Sequence, residues 1–230
     1  MMKTLTTDQI QALHTFVKKH YVEYYDIELE LVDHLANGIE SQWREDGSLT
    51  FETALDREFK KFGVFGFSTI IEKKENSLTY FYLGIILKEV LRFLHWPKLL
   101  LTSALFYIIY TSLNYLSTMF ENRDIVSVII WSLMPLVFIY FIVEATQIKK
   151  LHKATQKKWF MDRIRLSVIA FPLSALYITY YFGRFIANKS IVLSSVLILF
   201  VGLWIYITYN VISPKLKLEK EATIKKFNTL

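Results

Sequence analysis

The chain has 230 residues, 53% of them hydrophobic, with 27 Lys/Arg, 21 Asp/Glu and no cysteine. The missing cysteines exclude a disulfide framework and a thiolate metal site. Scarce glycine (7) and proline (4) argue against long disordered linkers and an all-β fold. Charge is uneven: residues 1–75 hold 9 Lys/Arg and 14 Asp/Glu, residues 76–230 hold 18 and 7. A nucleic-acid-binding head would carry the positive charge itself, so no nucleic-acid partner is expected.

The opening MMKTLTTDQIQALH has no apolar core of signal-peptide length, so membrane insertion is expected from an internal segment. Thr6 and Gln9 form a capping box, with Leu5 and Ile10 at the positions of a hydrophobic staple. Ile10, Leu13, Phe16 and Val17 then make one apolar stripe, which predicts a helix ending near His20. A second helix is predicted over 26–43. Leu31, Leu35 and Ile39 group on one side, flanked by Val32 and Trp43, with Asp26, Glu30, Asp33, Asn37 and Glu40 opposite. Glu28 falls nearer the apolar side and is expected to reach water from the first turn. Gly47 supplies a turn and Thr50 caps a third helix, with Phe51, Ala54, Leu55, Phe59 and Phe62 inward and Gly63 just past its end. Residues 66–75 predict a short fourth helix. Residues 1–75 thus read as a cytosolic helical module able to fold alone.

In the next segment Leu83, Ile86, Val90 and Leu94 share a face, while Lys88, Glu89 and Arg92 are polar. Its uncharged part is too short to span a bilayer. Residues 76–97 are therefore expected to lie at the interface as an amphipathic helix anchored by Trp96 and broken by Pro97. Four charge-free runs follow, 99–120, 125–143, 166–183 and 190–214, each near the length of a spanning helix. They predict spans at 99–120, 125–146, 165–184 and 190–213 in a four-helix domain over 98–214, then a basic tail over 215–230. The fold class expected is all-α.

Lys and Arg number one in 121–124, two in 184–189, seven in 149–165 and five after Pro214. The positive-inside rule then places both termini and the middle loop in the cytoplasm, in a multi-pass inner-membrane protein.

Asp26-Ile-Glu-Leu-Glu-Leu-Val-Asp-His-Leu35, followed by Ile39, Gly47, Phe51, Ala54-Leu55 and Phe62-Gly63, resembles the HAAS-like or permease-prefix module of bacterial membrane proteins. The chain also looks like a group of small Bacteroidetes-type membrane proteins. The resemblance covers about 45 residues and nothing specific in the membrane part. It implies a cytosolic signalling or assembly module, often encoded near PadR-type regulators or attached to permeases.

Glu30 and His34 stand at i, i+4 with Asp26 and Asp33 close by, a spacing that can hold a metal. Solvated surface charge is the simpler reading, and no second pair completes a set, so neither metal nor cofactor is expected. The P-loop, zinc-protease and nucleophile-elbow motifs are absent from the sequence, which predicts no enzyme. Asp26, Glu30, Asp33, His34 and Glu40 form the candidate surface for a protein partner. The basic loop carries Lys149, Lys150, Lys153, Lys157, Lys158, Arg163 and Arg165. It is expected to meet anionic lipid headgroups. It is also expected to dock the acidic second helix through shallow, salt-sensitive pairs.

Glu144 is placed near the cytoplasmic interface, and Asn114 is expected to hydrogen-bond across helices. Pro135 and Pro172 are expected to kink their helices. The first functional reading is a non-enzymatic membrane protein whose module mediates interaction or signalling and whose helices anchor it or form a homo-oligomer. The alternative is a small transporter or channel component.

Overall fold

Thr6 opens the first helix as its spacing requires. Its hydroxyl accepts the Gln9 N–H at 3.3 Å while the Gln9 side chain accepts the Thr6 N–H at 2.9 Å. The computed structural model describes residues 3–119, 125–187 and 190–228, which form helices and their connections with no strand among them. Helix α1 (Thr7–Lys19) packs on α2 (Tyr25–Glu45), and α2 on α3 (Phe51–Lys60), which Thr50 caps through the Thr53 N–H at 3.2 Å. Leu13, Val17, Leu35, Ile39 and Ala54 are fully buried between them.

Helix α4 (Phe67–Arg92) is one continuous element. This corrects the division into a short helix at 66–75 and a separate interfacial helix at 76–97. No proline interrupts residues 67–92, and Gly84 faces open space, so nothing breaks the hydrogen-bond ladder. Phe67 enters an aromatic cluster of Phe16, His20, Phe59 and Phe62 at the module end. Further along, Tyr82, Ile86 and Val90 are buried as α4 packs against the later helices.

The next four helices are α5 (Lys98–Met119), α6 (Ile125–Thr155), α7 (Phe160–Ala187) and α8 (Ile191–Ile207). Each lies in a helical stretch long and apolar enough to cross a membrane. Pro135 and Pro172 sit inside α6 and α7 without ending them. Asn114 is exposed on α5 rather than turned toward a neighbouring helix. Phe120, Arg123 and Lys189 lie outside the described residues, as does the side chain of Arg184.

Pro214 does not end the last span. A π turn over Thr208–Ile212 joins α8 to α9 (Ser213–Asn228) without a break. Proline has no N–H, and in a regular α-helix its ring would strike the carbonyl four residues back, that of Asn210. The wider turn makes room for it. Residues 215–228 are thus helical, with Leu216 fully buried, rather than a free tail.

The buried side chains of the module are continuous with those of the membrane helices. One cluster runs from Leu13 and Ile27 through Phe67, Tyr82 and Phe160 to Ile207 and Leu216. A second, smaller cluster holds Ile130, Val137, Leu176 and Val201.

Candidate functional site

Two linkers meet where the module joins the bundle. The Tyr25 N–H donates to the Lys158 carbonyl at 2.8 Å, so residues 24 and 158 pair as a parallel bridge. Each linker carries a non-glycine residue in the left-handed region, Tyr21 at φ 63° and Gln156 at φ 54°. Such residues persist only where surrounding contacts hold them. Here the rings of Tyr24 and Phe160 pack edge to face at 5.4 Å, those of Tyr25 and Trp159 at 5.6 Å, and Lys157 Nζ sits 3.8 Å over the Tyr25 ring.

Charged groups close the junction. Asp26, only 8% exposed, accepts the Phe160 N–H at 3.0 Å. A carboxylate of α2 therefore caps the first turn of α7, where the helix dipole favours it. Burial nevertheless raises its pKa above the ordinary value, while the surrounding backbone N–H groups pull the other way. Glu23 pairs with Lys158 at 2.6 Å, and that hydrogen bond lowers the Glu23 pKa and raises that of Lys158. Arg163 pairs with Glu75 of α4 at 2.7 Å.

Next to the junction, between α6, α7 and α9, lies a buried ionic layer. Glu144 pairs with Arg165, and Lys217 reaches Glu144 at 3.3 Å. Arg165 also donates to the Ser213 hydroxyl at 3.4 Å. Asp162 accepts from Lys220 at 2.7 Å and meets His152 at 2.9 Å. The Tyr82 hydroxyl of α4 donates to Glu219, tying α4 to the same layer.

The five residues of the candidate partner surface do not converge. Asp26 turns to α7, Glu30 pairs with Lys74 of α4, and Glu40 accepts the Leu5 N–H at 3.1 Å. His34 stacks edge-on against Phe62 at 5.5 Å, and Asp33 is exposed. No group of three His, Cys, Asp or Glu among the described residues is placed to hold a metal.

The basic loop divides. Lys149, Lys150 and Lys153 are exposed, whereas Lys157, Lys158, Arg163 and Arg165 each have a partner within the chain, Lys158 and Arg163 staying exposed and Arg165 buried. Arg165 is therefore not a headgroup contact. Module and loop do meet, but through Glu23, Tyr24, Tyr25, Asp26 and Glu75, with apolar contacts beneath. The exposed face of Glu30, Asp33 and Glu40 takes no part in this docking.

Two carboxylates of the module are buried, Glu28 against the expectation that it reaches water and Glu58 without a sequence expectation. Glu28 is enclosed by His14 at 2.7 Å and Lys18 at 3.3 Å rather than reaching water. Glu58 lies across Gly38, accepting from Gln42 at 3.0 Å and from Lys61 at 2.6 Å. The signal was present, since both stand on the apolar stripes of their helices.

A cavity of about 700 Å³ opens beside the junction. Phe59, Gly66 and Phe67 line it together with the charged Glu23, Glu72, Glu75 and Arg163. Its rim is apolar and solvent-facing: Tyr21 is 91% exposed, Val64 98% and Phe65 78%. Gly66 needs its lack of a side chain, because its φ is 54° and a Cβ would stand 3.1 Å from the Phe59 ring.

The fold and its apolar helices define a multi-pass, all-α membrane protein. Compared with protein-family models, with curated proteins and with solved structures, the chain matches none.

Proposed function

We propose that this chain is a non-enzymatic adaptor of a bacterial inner membrane, with the module and both termini in the cytoplasm. The module receives an apolar segment of a protein partner. The observation that carries this reading is the open cavity with Tyr21, Val64 and Phe65 presented to solvent around it. Exposed aromatic and aliphatic side chains grouped at a concave site mark interaction surfaces. Glu72 lines the cavity and pairs with no cation among the described residues, so a partner segment with basic flanks fits best. The likeness to permease-prefix modules at Asp26–Leu35 and at Phe62-Gly63 agrees with an assembly role.

The ionic layer bears on the transporter alternative. Its polar groups are paired with one another at the module end, and Ile130, Val137, Leu176 and Val201 fill the bundle beyond. That arrangement favours an anchor over a polar conduit.

A photo-crosslinking residue at Val64 or Phe65 of the full chain, expressed in cells, should yield a discrete protein adduct. The same residue at Gln11, exposed on α1, should not. Glu72→Lys should weaken the adduct at Val64. Equal labelling at all three positions would remove the cavity from the proposal.

A further inference from the structure

The membrane helices enclose a second cavity, of about 590 Å³, between α5 and α8. Its origin is visible in α5, whose buried residues are Thr102 and Leu113. These lie about three turns apart, and Leu105 and Ile109 between them are only partly buried because they line the cavity. Leu101, Leu105 and Ile109 follow one another at four-residue steps along one wall, and Ile198 and Gly202 do the same on α8. From Lys98 to Ile109 the slot runs about 16 Å at roughly 1.5 Å per residue, or one leaflet of a hydrocarbon core about 30 Å thick.

Charge is concentrated at one end. Glu89 is held by Arg92. Lys98 is exposed, sits 4.5 Å over the Phe93 ring and pairs with no carboxylate among the described residues. An apolar slot one leaflet deep, headed by an uncompensated cation, has the shape and charge of one lipid. We propose that it holds an acyl chain of an anionic phospholipid whose phosphate lies at Lys98 Nζ. A helix of a second copy is about 10–12 Å across and does not enter between two helices that stay packed near their ends.

Gly202 provides the test, because a Cβ there meets nothing within 4 Å. Gly202 lines the slot, so a larger side chain there would take up its space. The full chain is taken from bilayers of equal phosphatidylglycerol and phosphatidylcholine into mild detergent, and retained lipid is identified by native mass spectrometry. The native protein should keep one lipid, with phosphatidylglycerol favoured about fivefold, the discrimination one lysine near a membrane surface gives.

Lys98→Gln should keep a lipid but lose the preference. Gly202→Leu should keep neither lipid, whereas Gly202→Ala should behave as the native chain, and all three should melt as it does. Equal retention of both lipids by the native protein would overturn the phosphate assignment. Full retention by Gly202→Leu would overturn the slot. Displacement of the lipid by glycerol phosphate alone would mark a free-phosphate site and overturn the acyl-chain assignment.

Discussion

Asp26 of α2 receives the N–H of Phe160, the first residue of α7, at 3.0 Å across 134 residues of sequence. The bond makes the module part of the membrane domain's own capping. Asp26→Ala should cost about 1 kcal/mol, the usual loss of a cap.

The pH dependence has a definite sign. Burial raises the folded-state pKa of Asp26 above its ordinary 3.8, so the folded chain holds that proton more tightly than the unfolded chain. This residue's contribution to stability is greatest below 3.8 and falls as pH rises through the folded-state value. Asp26→Asn keeps an acceptor for Phe160 and removes the ionisation. It should therefore be at least as stable as the native chain at neutral pH, with a flatter pH profile in thermal melts.

Gly38 and Glu58 occupy each other's space, and a Cβ at residue 38 would overlap the Glu58 carboxyl. Gly38→Ala should destabilise by about 1–3 kcal/mol, as overpacking does. In chemical denaturation, Glu58→Ala should restore part of the loss when added to Gly38→Ala but should itself destabilise the native chain. That non-additivity is the signature of direct contact.

Glu144 and Arg165 are both buried and each is the other's closest counter-charge. Arg165→Met leaves Lys217 as the remaining cation beside the Glu144 carboxylate among the described residues and should cost about 3–5 kcal/mol. The double change with Glu144→Gln should recover much of that, because no buried charge is left alone. Thermal unfolding in one detergent at fixed ionic strength compares the three chains directly.

The proposed orientation places Met119 outside and Thr155 in the cytoplasm, and both residues are exposed at helix ends. Because the chain has no native cysteine, single cysteines there report topology cleanly. Met119→Cys should react with an impermeant maleimide in intact spheroplasts and Thr155→Cys only after lysis. The opposite order would invert the topology and put the module in the periplasm.

Helices α1 and α3 were legible because each announces its start, and α2 because it shows its buried face. Thr6 and Thr50 cap as their spacing predicts, and Leu35 and Ile39 are buried on the predicted side. The membrane helices were legible from the absence of charge over about 20 residues at a time. What escaped was everything that depends on a distant partner. Asp26 lies on the polar side of its own helix and is buried only because α7 begins beside it. The continuity of α4 was hidden by a change of composition near residue 76 that no structural breaker accompanies. The expected end of the last span falls where the charge-free run gives way to Lys215, and the π turn that carries the helix past Pro214 leaves no mark in hydrophobic periodicity.

The π turn also sets a phase. It takes up an extra residue inside the helix, so that α9 leaves α8 with Lys217, Glu219 and Lys220 turned toward their partners on the other helices. Lys217 and Lys220 there meet Glu144 and Asp162, and Glu219 meets Tyr82. With the turn in place α8 and α9 form a keyed shaft. The last span is thereby joined without a break to the lysines of the ionic layer, and through Tyr82 to α4, whose far end carries Phe67 into the module.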